Sequence, residues 1–173
     1  MYSALTFLQD ISNLTRSSYF QLRRLRTICK AVSVPIFTSI VHAFVCSRID
    51  YCNSLLIGLP KTRLSPLQTV LNAATRLIAR LPRYSHISSY IKEHLHWLPI
   101  STHIEYKVLL IVLKAQMGVA PKYLHNAIRL LPHPSVIGPS LWNRLPPSAR
   151  ASLLSSNLST SFSLLKTCLF SWS

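Results

Sequence analysis

A stripe of basic residues with one aromatic side chain runs along the first predicted helix. At helical spacings of three, four and seven, one face carries Arg16, Tyr19, Arg23, Arg26 and Lys30. Each cation can neutralise a phosphate and release a counterion, and the tyrosine ring can stack on a base. This face therefore predicts contact with a sugar-phosphate chain. The alternative is a solvated face with Tyr19 at the edge of the core.

A second amphipathic helix carries three more arginines opposite its apolar stripe. Arg76, Arg80 and Arg83 share this side with Gln68 and Asn72. Arg76 and Arg80 are one turn apart without an acid between them, so they repel each other by about 0.2–0.5 kcal/mol, which a bound polyanion would relieve. We expect phosphate contacts here, with a plain solvated face as the alternative. Changing Arg76 and Arg80 together to glutamate should then weaken binding without lowering the melting temperature.

The overall charge agrees with a polyanionic partner. The 173 residues include 19 Lys and Arg against four acids, for a formal charge of +15. No acid lies between Tyr51 and Lys92 or after Glu105. Such a surface favours nucleic acid first and an anionic membrane second. With 49% hydrophobic residues, the chain can still build a core.

Composition argues against catalysis and metal binding. Three glycines exclude most glycine-rich phosphate loops, and the four acids lie in separate segments, which does not favour a two-metal site. His94 and His96 stand without matching ligands at zinc spacing. We therefore predict no catalytic residue, no metal, no cofactor and no small-molecule substrate.

Targeting signals are not evident. The first 14 residues lack a basic region and a cleavage site, and no run of about 18 uncharged apolar residues occurs. This predicts an intracellular protein, nuclear or cytoplasmic and not secreted. The four cysteines are accordingly expected to be reduced and mostly buried. The oligomeric state stays open.

Helical periodicity dominates, and the predicted fold is all-α. We expect an irregular bundle of about six helices with an extended Pro/Ser-rich C-terminal arm. The predicted helices are 15–31, 36–57, 63–81, 86–95, 101–117 and 120–130, with a weaker one at 160–170. The corresponding domains are an N-terminal extension (1–14), a helical domain (15–131) and the arm (132–173). Within the arm, the serine-rich stretch 148–163 is predicted to be mobile, and Trp142 to act as an anchor.

The second predicted helix is apolar nearly all round, which indicates a central, buried element. Phe37, Val41 and Phe44 lie on one side, and Arg48 falls on the same side. A buried arginine must be paired or must reach solvent. We expect a structural Arg48 with a tertiary partner such as Glu93 or Glu105.

Several sequence blocks, taken in order, resemble one known family. They are similar to the segment that follows the catalytic palm in the reverse transcriptases of LINE-like non-LTR retrotransposons of the jockey group. The blocks are SYFQLR (18–23), SRIDYCNSLL (47–56), GLP (58–60), LQ (67–68) with NAATRL (72–77), LHWLPI (95–100), IEYK (104–107), GVAPKYL (118–124), LWNRLP (141–146), SF (161–162) and LKTCLF (165–170).

The resemblance implies a thumb and post-polymerase region without the palm aspartates and without the endonuclease. In the family this region is expected to grip a template–primer duplex and to position the element's RNA. The connector 132–139 is shorter than in the family, and residues 1–8 match none of its blocks. The resulting hypothesis is a non-catalytic fragment of an RNA-directed DNA polymerase that retains RNA or RNA–DNA duplex binding. The alternatives are a stray open reading frame without a cellular role and a basic membrane-surface or interaction protein.

Overall fold

The computed structural model describes residues 2–51, 53–124, 126 and 137–171 of the chain. Within these ranges the chain forms helices and contains no strand, so the predicted all-α class is confirmed. The chain divides into two compact units, Met1–Ile100 and Ser101–Ser173. This division falls inside the range 15–131 that the sequence predicted as one helical domain.

The first unit contains five α-helices joined by turns and short π and 3-10 segments. The α-helices are α1 (Tyr2–Ile28), α2 (Val34–Val41), α3 (Ser47–Asp50), α4 (Lys61–Ile78) and α5 (Ser88–Tyr90). The π-helical segments are His42–Cys46, between α2 and α3, and Ile91–Leu95, after α5; the 3-10 segment is Asn53–Leu56. Helix α6 (Ile100–Gln116) begins at the last residue of this unit.

The packing of α4 follows its apolar stripe. Leu67, Ala74 and Ile78 are buried, as their spacing predicts, whereas Leu81 lies beyond the helix end and is exposed. On α1, Leu22, Leu25 and Cys29 lie beside the basic face and are buried as well. Each fully buried leucine or isoleucine stabilises the fold by about 1.5–3 kcal/mol relative to an exposed one.

Helix α1 is longer than predicted at its N-terminal end. It begins at Tyr2, so residues 2–14, predicted as an extension outside the helical domain, continue the helix. Buried Ile11 and Ser18 lie seven residues apart, and Leu22 and Cys29 prolong the same stripe. The buried stripe of α1 therefore extends further towards the N-terminus than the basic face does.

The segment predicted as a buried central helix is buried on one side only. Phe37, Val41 and Ile49 are buried, but Phe44 of the predicted apolar side is 51% exposed, and Tyr51 is 80% exposed. The prediction of all-round burial is therefore wrong, because one stripe packs and the other faces solvent. Arg48 is exposed, so its charge is solvated and needs no tertiary partner.

The second unit is helical where the sequence had suggested an arm. It contains most of α6, then α7 (Ile137–Arg144), α8 (Pro147–Ser155) and α9 (Leu158–Phe170). Trp142 is buried, as expected of an anchor, but it lies on a helix and not on an extended arm. The predicted mobile stretch 148–163 is also mostly helical, because Leu153 packs inside and Leu165 and Leu169 bury the following helix. Of the predicted helix 120–130, residues 122–124 are helical, and residues 125 and 127–130 lie outside the described residues.

Two further sequence predictions concern the membrane and the thiols. None of the helices in the described ranges combines the length and apolarity needed to cross a bilayer. Cys29 and Cys46 are buried free thiols, and Cys168 is a half-buried one. The expected burial of the thiols is thus confirmed for Cys29 and Cys46, whereas Cys52 lies outside the described residues.

Candidate nucleic-acid interface

Helices α1 and α4 pack in parallel and leave a groove between them. Near the start of α4, Arg16 of α1 shares a small pocket with Arg63. At the end of α4, the Arg80 side chain reaches the carbonyl oxygen of Cys29. At both ends, the residues of α1 and α4 that meet are about 50 positions apart in the sequence. The two helices therefore run in the same direction.

The groove gathers most of the residues predicted from the two basic faces. It is open to solvent, encloses about 990 Å³ and is lined by seven of the eight predicted residues. These are Tyr19, Arg23, Arg26, Lys30, Arg76, Arg80 and Arg83. The eighth, Arg16, lines the neighbouring pocket of about 380 Å³. Two stripes that are separate in the sequence thus form the walls of one cleft.

The electrostatics of the groove are one-sided. None of its lining residues is an acid, so its cations meet no carboxylate there. Arg23, Arg26, Lys30 and Arg83 are exposed, which leaves their charges available to a ligand. The floor is apolar, with buried Leu22 and Cys29, and low-dielectric walls strengthen the field of the surrounding cations.

Arg80 has a structural task in addition to its place in the groove. Its Nη2 donates to the carbonyl oxygen of Cys29 at 2.8 Å and to that of Val32 at 2.9 Å. These carbonyls lie just beyond the end of α1, where the helix dipole is negative and favours cations. Replacing Arg80 should therefore lower stability, which changes the expectation that a joint change of Arg76 and Arg80 would leave the melting temperature intact.

Arg76 lies half-buried in the wall of the groove. Its Nε atom is buried and has no hydrogen-bond acceptor among the described residues. A buried donor without a partner costs about 1–3 kcal/mol.

Three groove residues with a hydroxyl or amide group lay outside the predicted set. Tyr84 is 90% exposed and follows Arg83 directly in the loop after α4. Thr69 and Asn72 lie on the α4 wall, one turn before Ala73 and Arg76. Asn72 was visible on the polar face of the helix, but nothing in its spacing distinguished it from a solvated residue. The sequence held one signal for Tyr84: it is an aromatic residue that directly follows an arginine just after a helix.

The sequence predicted no metal site at the histidines near α5. His94 and His96 are both exposed, and His96 adopts a left-handed conformation (φ 51°) that ends the π segment. In the described part of the chain, no three His, Cys, Asp or Glu side chains come together in a group that could hold an ion.

No protein family, curated protein or solved structure matches this chain.

Proposed function

We propose that the groove between α1 and α4 binds the sugar-phosphate backbone of RNA or of an RNA–DNA duplex with little regard to sequence. One observation carries the proposal. Residues chosen from two separate helices, because their spacing suited a phosphate chain, line a single groove that contains no acid. Cations arranged in this way release counterions from a polyanion, and this release supplies most of the affinity in sequence-tolerant binding.

The dimensions of the groove suit a short stretch of one strand. Tyr19 and Ile28 are nine positions apart on α1, and the helix rises 1.5 Å per residue, so this wall of the groove extends about 14 Å along the axis before Lys30. Phosphates of a duplex strand follow each other at about 3.4 Å along the helix axis, so roughly four can lie beside it. The six groove cations are therefore comparable in number to the phosphates within reach.

The sequence resemblance supports the same function. A thumb and post-polymerase region of a LINE-like reverse transcriptase is expected to hold nucleic acid without performing the chemistry. We propose that this chain is a non-catalytic fragment of that kind, acting in the nucleus or cytoplasm. Primer extension with the purified chain should give no product, and incorporation of nucleotide would overturn this part of the proposal.

Salt-dependent binding tests the groove itself. The purified chain is titrated into a fluorescent single-stranded RNA, an RNA–DNA duplex and vesicles containing phosphatidylserine, at several salt concentrations. We expect binding to both nucleic acids, with log K falling against log salt at a slope of about −3 to −5, for four to six phosphates contacted. Tighter binding to the vesicles than to either nucleic acid at matched salt would overturn the proposal, as would the absence of nucleic-acid binding.

A further inference from the structure

One end of the groove, the cation-poor end, carries fewer cations than the other. The contacts of Arg80 with Cys29 and Val32 join residues 51 and 48 positions apart, so α1 and α4 lie side by side at an offset of about 50 residues. Because parallel helices rise equally per residue, Tyr19 and Leu22 lie level with the Thr69–Asn72 turn, and Arg23 follows one turn after Tyr19. At the other end, beyond Arg76, the groove lining contains a cluster of four cations: Arg26, Lys30, Arg80 and Arg83.

A chain of hydrogen bonds fixes the orientation of Asn72 at the cation-poor end. The backbone N–H of Ile100 can only donate, and it donates to Oε1 of Gln68 at 2.9 Å. The other branch of the Gln68 amide must then be its Nε2 donor, which donates to Oδ1 of Asn72 at 2.9 Å. Asn72 therefore uses its oxygen within the protein and keeps its Nδ2 as the free branch.

The free branch of Asn72 is a neutral hydrogen-bond donor in the groove. Within the described ranges, nothing accepts a hydrogen bond from Nδ2. The neighbouring hydroxyl of Thr69 donates to the carbonyl oxygen of Pro66 at 2.7 Å, so it offers only lone pairs. Tyr19 is 39% exposed and supplies part of a ring surface at the same end.

We propose that this cation-poor end is a subsite for one unpaired base of the bound strand. Tyr19 stacks on the face of the base, and Nδ2 of Asn72 donates to a carbonyl oxygen or ring nitrogen on its edge. A phosphate would be held more strongly by the charge-assisted donors at the other end of the groove, so the neutral donor suits a base. The subsite rests on the proposed function and deepens it, because it requires a strand with at least one unpaired nucleotide.

The test separates recognition of the base from recognition of the backbone. Fluorescence anisotropy compares a single-stranded RNA ten nucleotides long with an abasic oligomer of the same length and charge, and inorganic polyphosphate serves as a competitor. We expect the wild-type chain to bind the base-bearing RNA at least about fivefold more tightly than the abasic oligomer. Asn72→Leu should reduce this ratio severalfold while leaving the salt slope and competition by polyphosphate unchanged.

A second variant changes the orientation of Asn72 without replacing it. In Gln68→Glu, one carboxylate oxygen still accepts from Ile100, and the other turns the Asn72 amide so that Oδ1 faces away from residue 68. The added charge weakens binding of both oligomers alike, so the ratio of their affinities reports the lost donor alone. Thr27→Val is the matched control and should keep the wild-type ratio, because Thr27 lies outside the groove lining and its hydroxyl donates within its own helix. Thermal melts show whether each variant folds. If Asn72→Leu does not fold, Gln68→Glu still tests the role of Asn72.

The possible outcomes distinguish the subsite from the groove. Equal binding of the base-bearing and abasic oligomers by the wild-type chain would overturn the subsite while leaving backbone binding in place. An unchanged ratio in folded Asn72→Leu and Gln68→Glu would overturn the role of Asn72. Failure of the wild-type chain to bind any of the three probes would instead refute the proposed function, and the subsite with it.

Discussion

The guanidinium of Arg80 donates a hydrogen bond of 2.8 Å to the carbonyl oxygen of Cys29, which lies 51 residues earlier in the chain. The same nitrogen also reaches the carbonyl oxygen of Val32. One side chain at the end of α4 thus satisfies two acceptors at the end of α1. A residue selected from sequence as a ligand contact also holds the two walls of the groove together.

The backbone at Arg80 is as unusual as its side chain. Arg80 has a φ of 55°, and Leu81 and Arg80 donate back to Arg76 and Leu77 in a Schellman motif. The same motif ends α6, where Gly118 occupies the left-handed position with a φ of 71°. Glycine is the usual residue there because it lacks a Cβ. At Arg80, the two hydrogen bonds of the side chain offset the strain of the left-handed backbone.

The first prediction concerns stability at this position. Arg80→Ala should lower the free energy of unfolding by about 1–2 kcal/mol, because two charge-assisted hydrogen bonds are lost and the strained backbone remains. Arg80→Gly should lower it less, since glycine relieves the strain. Urea denaturation of both variants measures the difference. Equal loss in the two variants would show that backbone strain is unimportant here, and no loss in either would remove the structural role of Arg80.

The second prediction uses two adjacent arginines on α1. Arg23 lines the groove, whereas Arg24 lies outside its lining and places its guanidinium 5.9 Å from the Phe20 ring centroid. Arg23→Gln should weaken RNA binding severalfold and reduce the salt slope by about 0.7–0.9, the value of one phosphate contact. Arg24→Gln removes the same charge and should change the slope much less. Anisotropy titrations of both variants give the comparison, and equal effects would indicate a diffuse charge effect without a groove.

The packed faces of α1 and α4 could be predicted because periodicity encodes burial directly. Leu22 and Leu67 fall on apolar stripes, and both are buried. The double role of Arg80 could not be predicted, since it depends on where the end of α1 comes to lie after folding. The orientation of Asn72 likewise depends on the backbone of Ile100, which is 32 residues from Gln68. Tyr84 lies in a loop without periodicity, so no pattern placed it beside the arginines.

The C-terminal helices show how burial overrides local composition. The serine-rich stretch 148–163 predicted mobility because serine favours turns and caps over helix interiors. In the structure, buried Leu153 and Leu165 lie on two successive helices. Tertiary packing of these leucines outweighs the weak helical preference of the serines between them.

The third prediction tests order in this C-terminal region. The hydroxyl of Ser161 is fully buried and lies 2.8 Å from the carbonyl oxygen of Leu153, so it links α9 to α8. Ser161→Ala should destabilise the protein by about 1–2 kcal/mol, because a buried carbonyl loses its partner. Ser163→Ala is the matched control, since Ser163 is exposed and bonds only within its own helix. Thermal melts that place both variants at the wild-type midpoint would contradict the packing described for this region.

The fourth prediction concerns alkaline pH. Burial, and in smaller part the charge of Asp50, raises the pKa of the Cys46 thiol to about 12. In the unfolded chain the thiol has a pKa near 8.5. The folded state therefore keeps its proton while the unfolded state loses it, so this contribution to stability is complete below about pH 8.5 and declines as the pH rises towards 12.

Thermal melts of the wild-type chain and of Cys46→Ala between pH 8 and 11 measure this contribution. The wild-type midpoint should fall more steeply with pH than the midpoint of the variant. Burial also raises the pKa of Tyr106, which lowers alkaline stability in the same direction in both proteins and cancels in the comparison. Parallel curves would show that the thiol of Cys46 is not desolvated in the folded state.

The bridge from Arg80 to the end of α1 has a geometric consequence for the cleft. At that end the two walls are joined by hydrogen bonds, because the terminal nitrogen of one arginine donates to two backbone carbonyls on the opposite wall. A molecule seated there meets walls that are held together, while at the opposite end neither Tyr19 nor Thr69 makes such a bond across the groove among the described residues.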